Sequence, residues 1–419
     1  MRDLLPEEAA NRRALSRVVL ERFALFGYRL VTPPAFELAH VVERGLPQGL
    51  GAAAAADVLR FIEPESGEVA VLRPDMTPQI ARIVATRMRD HQPPFRLAYE
   101  GTVVRRRSGR AKKHRQIPQV GVELCGVTDN SGDLELLELA VDAVRAAGLS
   151  RFVIDVSDAG IVRELLADVP AARATDVTIA LAKKDETMLE EHVKGLPSAA
   201  SLLALPRLHG GREAVEETVK VLTSTAGSFP RAIAAARRLL ALFDAAATRG
   251  LASFLTADAG EVRGFAYYTG TTFSIYADGP GEPVGAGGRY DELLSRFGAP
   301  MAAVGFGLDL DALAWALRTA PSRTSLRRDG VVYVGDGDDG RVAALRARGI
   351  PAVALPYHDA ALAYARSWGF AAVWNGSTVF DVRTEAATHV DATSGAAPGD
   401  ADRVAGLVAR VLETFPRGA

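Results

Sequence analysis

Polar side chains alternate along Gln119–Glu123, which has the sequence Gln-Val-Gly-Val-Glu. Residues two apart in a β-strand point to the same face, so the Gln119 amide and the Glu123 carboxylate would share one face. Gly121 between them would let a small ligand lie directly on the sheet. An amide and a carboxylate at this spacing suit an amino acid. They equally suit a structural network of buried, hydrogen-bonded polar groups.

Asp75 and Thr77 lie beside a predicted helix start in Leu72–Arg82. A carboxylate and a hydroxyl can both accept hydrogen bonds from an α-ammonium group, which offers three donors. The same pair is typical of helix capping without a ligand, with Thr77 as the N-cap and Pro78 in the first helical position. By itself the motif favours the capping interpretation.

Val262–Tyr276 places an arginine beside a strand rich in aromatic residues. The guanidinium of Arg263 suits a carboxylate or a phosphate, because it can bond two oxygens at once. Tyr268 offers a phenol of the kind that lines small-ligand sites. Tyr267 is typical of core packing instead. Gly285–Asp291, with the sequence GAGGRYD, contains glycines that permit either close approach of a ligand or a bulge.

A strongly basic segment, Arg106–Arg115, connects the predicted strands Arg96–Arg105 and Gln116–Cys125. Such a run is usually a solvated face, but between two strands it predicts a clamp on phosphates. The whole chain of 419 residues has a net charge of −2. This balance argues against a tRNA-binding surface spread over the whole molecule.

Composition predicts an ordinary soluble globular protein, with 48% hydrophobic and 24% charged residues. The single cysteine, Cys125, excludes an intrachain disulfide and a cysteine-rich metal site. The histidines are scattered, so neither a metal nor a cofactor is expected. The first residues are charged and lack an apolar core, and no run of about 18 apolar residues occurs. We therefore expect no signal peptide, no membrane span and a cytoplasmic location.

Periodicity and turn residues predict a two-domain organisation. The first domain, residues 1–320, contains a helical insertion at about 160–250, and the second is a small α/β domain at 329–419. The elements expected in the first domain are a helix from Leu5 to Phe26, a hairpin at Phe61–Leu72, helices at Thr77–Arg89, Asp133–Ala147, Asp291–Phe297 and Leu308–Thr319, and further strands at Phe152–Val156, Tyr267–Tyr276 and Glu282–Ala286.

Taken in order, these segments resemble the core of class II aminoacyl-tRNA synthetases, specifically the histidyl member. In detail they resemble its paralogue, the regulatory subunit of ATP phosphoribosyltransferase. The motifs that carry the resemblance are LRPDMTPQIAR, YEGTVVRRR, QVGVEL, RGFAYYTG and GFGLDLDAL. The resemblance implies an α+β fold in which an antiparallel sheet is flanked by helices. It also implies a C-terminal domain that is loosely similar to an anticodon-binding domain.

The resemblance further implies a histidine site. The residues carried over as histidine ligands are Asp75, Thr77, Arg105, Gln119, Glu123, Arg263, Tyr267, Tyr268 and Tyr290. Asp75, Thr77 and Gln119 would hold the ammonium and the carboxylate, and Arg263 would face the carboxylate. Glu123 and Tyr268 would each bond one ring nitrogen. Contact with both nitrogens would give strong selectivity, because an analogue lacking one leaves a buried polar group unpaired.

Two departures from the synthetase pattern concern ATP. The synthetases have an arginine at the position of Ala312 and a glutamate at that of Arg107, and this chain also has acids at Asp309 and Asp311. Loss of one arginine–phosphate contact costs about 1.5–3 kcal/mol, and carboxylates repel a triphosphate. We therefore expect very poor adenylation and no catalytic residues.

The resemblance implies a non-catalytic regulatory subunit that binds L-histidine and a short-form catalytic subunit of ATP phosphoribosyltransferase. It would form a homodimer within a hetero-oligomer, expected to be a hetero-octamer, with no membrane contact and no tRNA. The alternative is a divergent histidyl-tRNA synthetase, which the basic segment, Arg105 and Arg263 favour. A third possibility is a synthetase-like amino-acid-binding protein with an unrelated partner.

Overall fold

The computed structural model describes residues 3–45, 58–105, 116–224, 229–262, 267–319, 330–335, 340–355, 360–390 and 400–414. The chain divides into two compact units, Arg12–Pro321 and Ser322–Ala419, and the second also contains Asp3–Asn11. None of the helices in the described residues has both the length and the apolar character needed to cross a membrane.

Fourteen α-helices lie in the described residues. They are α1 Pro6–Leu25, α2 Ala39–Gly45, α3 Thr77–Arg87, α4 Asn130–Ala146, α5 Ala159–Leu166, α6 Ala171–Lys183, α7 Glu186–Val193, α8 Ala199–Ala204, α9 Arg212–Ser224, α10 Pro230–Thr248, α11 Leu310–Thr319, α12 Arg341–Ala347, α13 Ala361–Trp368 and α14 Asp400–Thr414. Short 3₁₀ helices occur at Leu205–Arg207, Ala252–Phe254 and Leu294–Phe297.

Seventeen strands lie in the same described ranges. They are β1 Arg29–Val31, β2 Phe36–Leu38, β3 Arg60–Ile62, β4 Val69–Leu72, β5 Phe95–Val104, β6 Gln116–Cys125, β7 Phe152–Asp158, β8 His209–Gly210, β9 Leu255–Asp258, β10 Thr271–Ala277, β11 Gly285–Arg289, β12 Ala303–Asp309, β13 Val331–Val334, β14 Ala352–Leu355, β15 Ala372–Trp374, β16 Thr378–Asp381 and β17 Ala387–His389.

Nine strands form the large sheet, in the order β1-β5-β6-β12-β11-β10-β7-β9-β8. Its centre, from β5 to β7, is antiparallel throughout. The β1–β5 and β7–β9 pairs are parallel, so the sheet is mixed. The expected α+β class with an antiparallel central sheet flanked by helices is confirmed.

The two faces of the large sheet have different partners because its side chains alternate between them. One face packs Val120, Val122, Phe306 and Ile275 into the main core, which continues into the helices. The opposite face, with Leu97 and others, packs against a smaller cluster that contains the tyrosines discussed below. A continuous core on one side leaves the other side available for a cavity.

Local sequence signals account for several element ends. Helix α1 begins at Pro6 and is followed by Gly27 at φ +86°, a left-handed conformation that favours glycine. The Asp129 side chain accepts a hydrogen bond from the Ser131 N–H and caps α4. Gly148, at φ +101°, follows the C-terminal end of that helix.

Two smaller sheets complete the secondary structure. Strands β2, β4 and β3 form an antiparallel sheet that contains the predicted hairpin. In the second unit, β13 pairs in parallel with β14 and β15, and β16 and β17 extend that sheet in antiparallel fashion. Strands β16 and β17 and helix α14 were not anticipated from the sequence.

Near the site one predicted element was wrong in type and two differ from the structure in their bounds. The glycine-rich Gly285–Arg289 is itself a strand, because it pairs with β10 and β12, whereas Glu282–Ala286 was expected. Asp291–Phe297 was predicted to be an α-helix, yet it contains only the 3₁₀ turn Leu294–Phe297. Helix α11 begins at Leu310, because Ala303–Asp309 pairs with β6 and β11 as a strand.

Candidate functional site

A cavity of about 310 Å³ lies on the face of the large sheet opposite the main core. Seven of the nine predicted histidine ligands border it, and these are Asp75, Thr77, Arg105, Gln119, Tyr267, Tyr268 and Tyr290. The structure therefore gathers segments that are widely separated along the chain around one space.

The base of the cavity follows the register of the central strands. Tyr99 on β5 pairs with Gly121 on β6, and Gly121 pairs with Gly307 on β12. Two residues further along β6, Glu123 pairs with Gly305. Two residues in the other direction, Gln119 pairs with Asp309. The alternation predicted for Gln119, Gly121 and Glu123 thus places all three on the cavity side.

Glu123 is buried directly behind the cavity wall. Its Oε1 accepts a hydrogen bond from the Thr77 hydroxyl at 2.7 Å, and its Oε2 accepts one from the Tyr290 hydroxyl. Both hydroxyl residues and Gly305 border the cavity, whereas Glu123 does not. Burial raises the pKa of Glu123 to about 8, although the two hydroxyls act to lower it. The carboxyl is therefore mostly protonated at neutral pH in the absence of a ligand.

Gly305 provides the space that the Glu123 carboxyl occupies. A Cβ at position 305 would lie 1.7 Å from Glu123 Oε2 and 2.6 Å from the Val122 carbonyl oxygen. No side chain larger than hydrogen fits there without displacing the carboxyl. Gly305, the first glycine of GFGLDLDAL, therefore leaves the room that the Glu123 carboxyl needs.

Thr77 does not cap its helix. The N-cap of α3 is Met76, which makes no side-chain capping bond, and the Thr77 hydroxyl donates to Glu123 instead. The predicted capping role was wrong because a buried carboxyl on β6 is available as the acceptor. Asp75 accepts a hydrogen bond from the Tyr267 hydroxyl at 2.9 Å and lies 3.4 Å from the Thr77 N–H.

Aromatic residues form one side of the cavity. The ring centroid of Tyr267 lies 4.9 Å from that of Tyr268 and 5.7 Å from that of Tyr290. The Tyr267 and Tyr290 rings meet edge-on. The Arg163 side chain donates to the Tyr268 carbonyl oxygen and so holds this segment just before β10. Tyr267 is a packing residue, as predicted, and it also bonds Asp75.

Two predicted cationic groups differ in how far the structure describes them. Arg105 borders the cavity, and its Nε donates to the Pro74 carbonyl oxygen at 2.7 Å. Arg263 and the basic segment Arg106–Arg115 lie outside the described residues. Their roles toward a carboxylate or phosphates remain predictions.

The GAGGRYD motif has a packing role along most of its length. Cβ atoms at Gly287 and Gly288 would lie 2.3 Å from the Gly305 carbonyl oxygen and 2.6 Å from the Thr271 carbonyl oxygen. Arg289 turns away to bond Asp133, with Nε 3.0 Å from Oδ2. Among these residues only Gly285, Ala286 and Tyr290 border the cavity.

Sequence reasoning missed Tyr99, Glu282 and Ala286, which also border the cavity. Tyr99 could have been found by pairing the two predicted strands around their connection, since it then lies opposite Gly121. Glu282 and Ala286 carry no such signal, because the strand that follows Glu282 was placed incorrectly.

A group of carboxylates elsewhere in the described residues has metal-like spacing. Asp155, Asp258 and Glu261 bring ligand atoms within 4.8 Å of one another. The Lys184 ammonium lies 2.7 Å from Asp258 and supplies positive charge there. This arrangement is consistent with an ordinary ion pair.

Comparison with known proteins identifies the family. The histidyl-tRNA synthetase family model matches residues 1–313. An ATP phosphoribosyltransferase regulatory subunit from Anaeromyxobacter sp. (strain Fw109-5) is 41% identical over 331 residues, covering 77% of this chain and 93% of that protein. One from Syntrophotalea carbinolica is 34% identical over 356 residues, covering 84% and 81%. This chain belongs to the ATP phosphoribosyltransferase regulatory subunit family, which is similar to histidyl-tRNA synthetase.

A solved structure supports the same assignment. The ATP phosphoribosyltransferase regulatory subunit/histidyl-tRNA synthetase from Bacillus halodurans C has a TM-score of 0.75 and 30% identity. The alignment covers 90% of this chain and 96% of that one. The name of that protein includes both the regulatory subunit and the synthetase. The residues that line the cavity must therefore distinguish between these two functions.

The end of the cavity near α11 bears on that distinction. Ala312 and Asp309 both border it, together with Glu282. Asp309 Oδ1 accepts the N–H groups of Asp311 and Ala312 at 2.9 and 3.0 Å and so caps α11. Asp311 pairs with Arg12 at 2.6 Å. Of the two acids singled out in the sequence, Asp309 is the one that borders the cavity.

Proposed function

We propose that this chain is a non-catalytic regulatory subunit of ATP phosphoribosyltransferase that binds L-histidine and conveys feedback inhibition to a short-form catalytic subunit. It would do so as a homodimer within a hetero-oligomer in the cytoplasm. The names of its relatives support the regulatory assignment. Histidine would bind one conformation more tightly, and linkage would transmit this preference to the catalytic partner.

The composition of the cavity carries this proposal. Its lining combines Asp75, Thr77 and Gln119 with Tyr268, a set suited to an amino acid that has a polar ring. Asp75, Thr77 and Gln119 would hold the ammonium and carboxylate groups. Tyr268 would bond one imidazole nitrogen. Glu123, which accepts hydrogen bonds from the Thr77 and Tyr290 hydroxyls, would bond the other.

The lining residues next to α11 argue against adenylation. Ala312 offers no charge, and the Asp309 carboxylate already accepts the first N–H groups of α11. A free helix N-terminus attracts phosphate, whereas one capped by an aspartate repels it. ATP bound here would lack one charge-assisted bond and would meet a carboxylate.

Calorimetry and ATP–pyrophosphate exchange on one sample test the proposal. We expect saturable histidine binding and no histidine-dependent exchange, because residues suited to an amino acid line the cavity whereas Ala312 replaces the arginine expected to bind phosphates. Robust exchange would instead favour the divergent synthetase. Absence of histidine binding would refute the sensor role.

Inhibition of the reconstituted complex with the short catalytic subunit tests the regulation. Gln119→Ala should shift the histidine inhibition curve to higher concentration, since Gln119 borders the cavity. Gln116→Ala is the matched control, because Gln116 begins the same strand and is exposed. Identical inhibition curves for Gln119→Ala and the unmodified protein would refute this location of the sensor.

The second candidate is a divergent histidyl-tRNA synthetase. The family model and the presence of Arg105 at the cavity favour it. It requires both adenylate formation and tRNA charging, so the exchange assay above decides between the two candidates.

A further inference from the structure

Tyr99 lies at the centre of the cavity base. Its side chain is 3% exposed, and it borders the cavity from β5. A Cβ at Gly121 would lie 2.4 Å from its hydroxyl oxygen, and one at Gly307 would lie 3.0 Å from that oxygen. The phenol therefore extends across two neighbouring strands through space that the two glycines leave open.

The Tyr99 hydroxyl differs from its neighbours in its bonding. Tyr267 donates to Asp75 and Tyr290 donates to Glu123. The Tyr99 hydroxyl makes neither of these bonds, and Tyr99 borders the cavity together with Asp75, Thr77 and Gln119. A hydroxyl that faces a cavity can donate a hydrogen bond to a ligand bound there.

The surroundings of Tyr99 define its chemical state. Burial and the nearby Glu123 and Asp75 raise its pKa well above the usual value, although Arg105 acts to lower it. The phenol is therefore neutral and able to donate a hydrogen bond at any physiological pH. Asp75 and Glu123 accept hydrogen bonds from other hydroxyls, and a ligand in the cavity can supply an acceptor for Tyr99.

We propose that Tyr99 contacts the bound ligand directly and donates a hydrogen bond to its α-carboxylate. This inference rests on the proposed function, in which the ligand is histidine. In that assignment Asp75, Thr77 and Gln119 hold the ammonium and the carboxylate, Arg263 faces the carboxylate, and Tyr268 and Glu123 serve the ring nitrogens. The carboxylate has two oxygens that together accept about four hydrogen bonds, so it can take a further donor. Tyr99 is thereby a determinant of specificity for amino acids over the corresponding amines.

The test is a calorimetric comparison of the unmodified full chain and Tyr99→Phe. We expect the affinity for histidine to fall at least tenfold, as is typical for loss of a hydrogen bond to a charged group. Histidinol, in which a hydroxymethyl group replaces the carboxylate, is measured by competition with histidine. Its affinity should change much less, because its hydroxyl is a neutral and weaker acceptor than the charged carboxylate.

Tyr28→Phe is the matched control. Tyr28 is equally buried, but it packs in the main core and donates to Glu135 instead of bordering the cavity. This variant should retain the histidine affinity of the unmodified protein. If both variants lose affinity equally, the effect of Tyr99→Phe is structural and the inference is overturned.

The remaining outcomes separate this inference from the proposed function. Unchanged histidine affinity in Tyr99→Phe, with normal binding by the unmodified protein, overturns the Tyr99 contact alone. Equal losses for histidine and histidinol overturn the assignment to the carboxylate. No histidine binding by the unmodified protein overturns the proposed function and the Tyr99 contact together.

Discussion

Glu123 has a buried carboxyl group whose bonded neighbours, among the described residues, are two hydroxyls and no cation. Its pKa is raised to about 8, mainly by burial. A group with a raised folded-state pKa stabilises the fold fully below its unfolded pKa, and this contribution is lost as pH rises through the folded value. The relevant window therefore extends from the ordinary glutamate value to about 8.

Glu123→Gln should remove this pH dependence, because an amide does not titrate. The free energy of unfolding of the variant, minus that of the unmodified protein, should increase from about pH 5 to pH 8. The slope should be at most about 1.4 kcal/mol per pH unit. Urea unfolding at several pH values measures it, with the exposed Glu21→Gln as control. A constant difference across that range would contradict the assignment.

Gly305→Ala should be among the most destabilising single-methyl changes in this sheet. The added Cβ would overlap the Glu123 carboxyl and the Val122 carbonyl oxygen, and overpacking costs about 1–3 kcal/mol or more. Gly307→Ala is the matched control, since the nearest atoms to its Cβ would be the Tyr99 hydroxyl oxygen at 3.0 Å and the Val120 carbonyl oxygen at 3.9 Å. Equal chemical denaturation midpoints for the two variants would show that the space above Glu123 is not required.

At the scale of elements, Arg289 joins strand β11 to helix α4. It bonds Asp133 on the helix, and it also donates to the Val127 and Asp129 carbonyl oxygens at 2.9 and 3.0 Å. Because these bonds fix the guanidinium in one position, replacement of a partner is expected to cost stability. Arg289 and Asp133 are both buried. This pair fixes the strand that leads directly into Tyr290.

Asp133→Asn should lower the free energy of unfolding by about 3 kcal/mol, because it leaves the buried guanidinium with only the more exposed Asp291 carboxylate, 3.2 Å away, as a counter-charge. Asp244→Asn breaks the exposed pair with Arg212 and should cost less than about 1 kcal/mol. Both values come from chemical denaturation of the full chain. A small effect at Asp133 would mean that Asp291 and the carbonyl oxygens are enough to hold Arg289.

At the scale of the whole molecule, a ligand that binds only the folded state must stabilise it. Histidine at about 100 times its dissociation constant should raise the free energy of unfolding by about 2.7 kcal/mol, seen as a higher melting temperature in calorimetry. ATP should have no comparable effect, because of Ala312 and Asp309. Stabilisation by ATP equal to that by histidine would contradict the regulatory assignment.

Much of the fold followed from the sequence. The hairpin of β3 and β4, the long strands β5 and β6 and the first helix all lie within a few residues of their predicted bounds. Their signals are local: alternation, a proline at a helix start and glycines at turns. The family motifs also selected residues that the structure brings to one cavity, although histidine binding by them stays a prediction.

The sequence alone determined which side chains share a face, because alternation along Gln119–Glu123 is a local property of a strand. Only the tertiary structure decided that the Thr77 hydroxyl bonds Glu123, that Gly305 makes room for that carboxyl and that Tyr99 borders the cavity. These facts depend on the register between distant strands. That register is set by packing over the whole sheet and not by neighbouring residues.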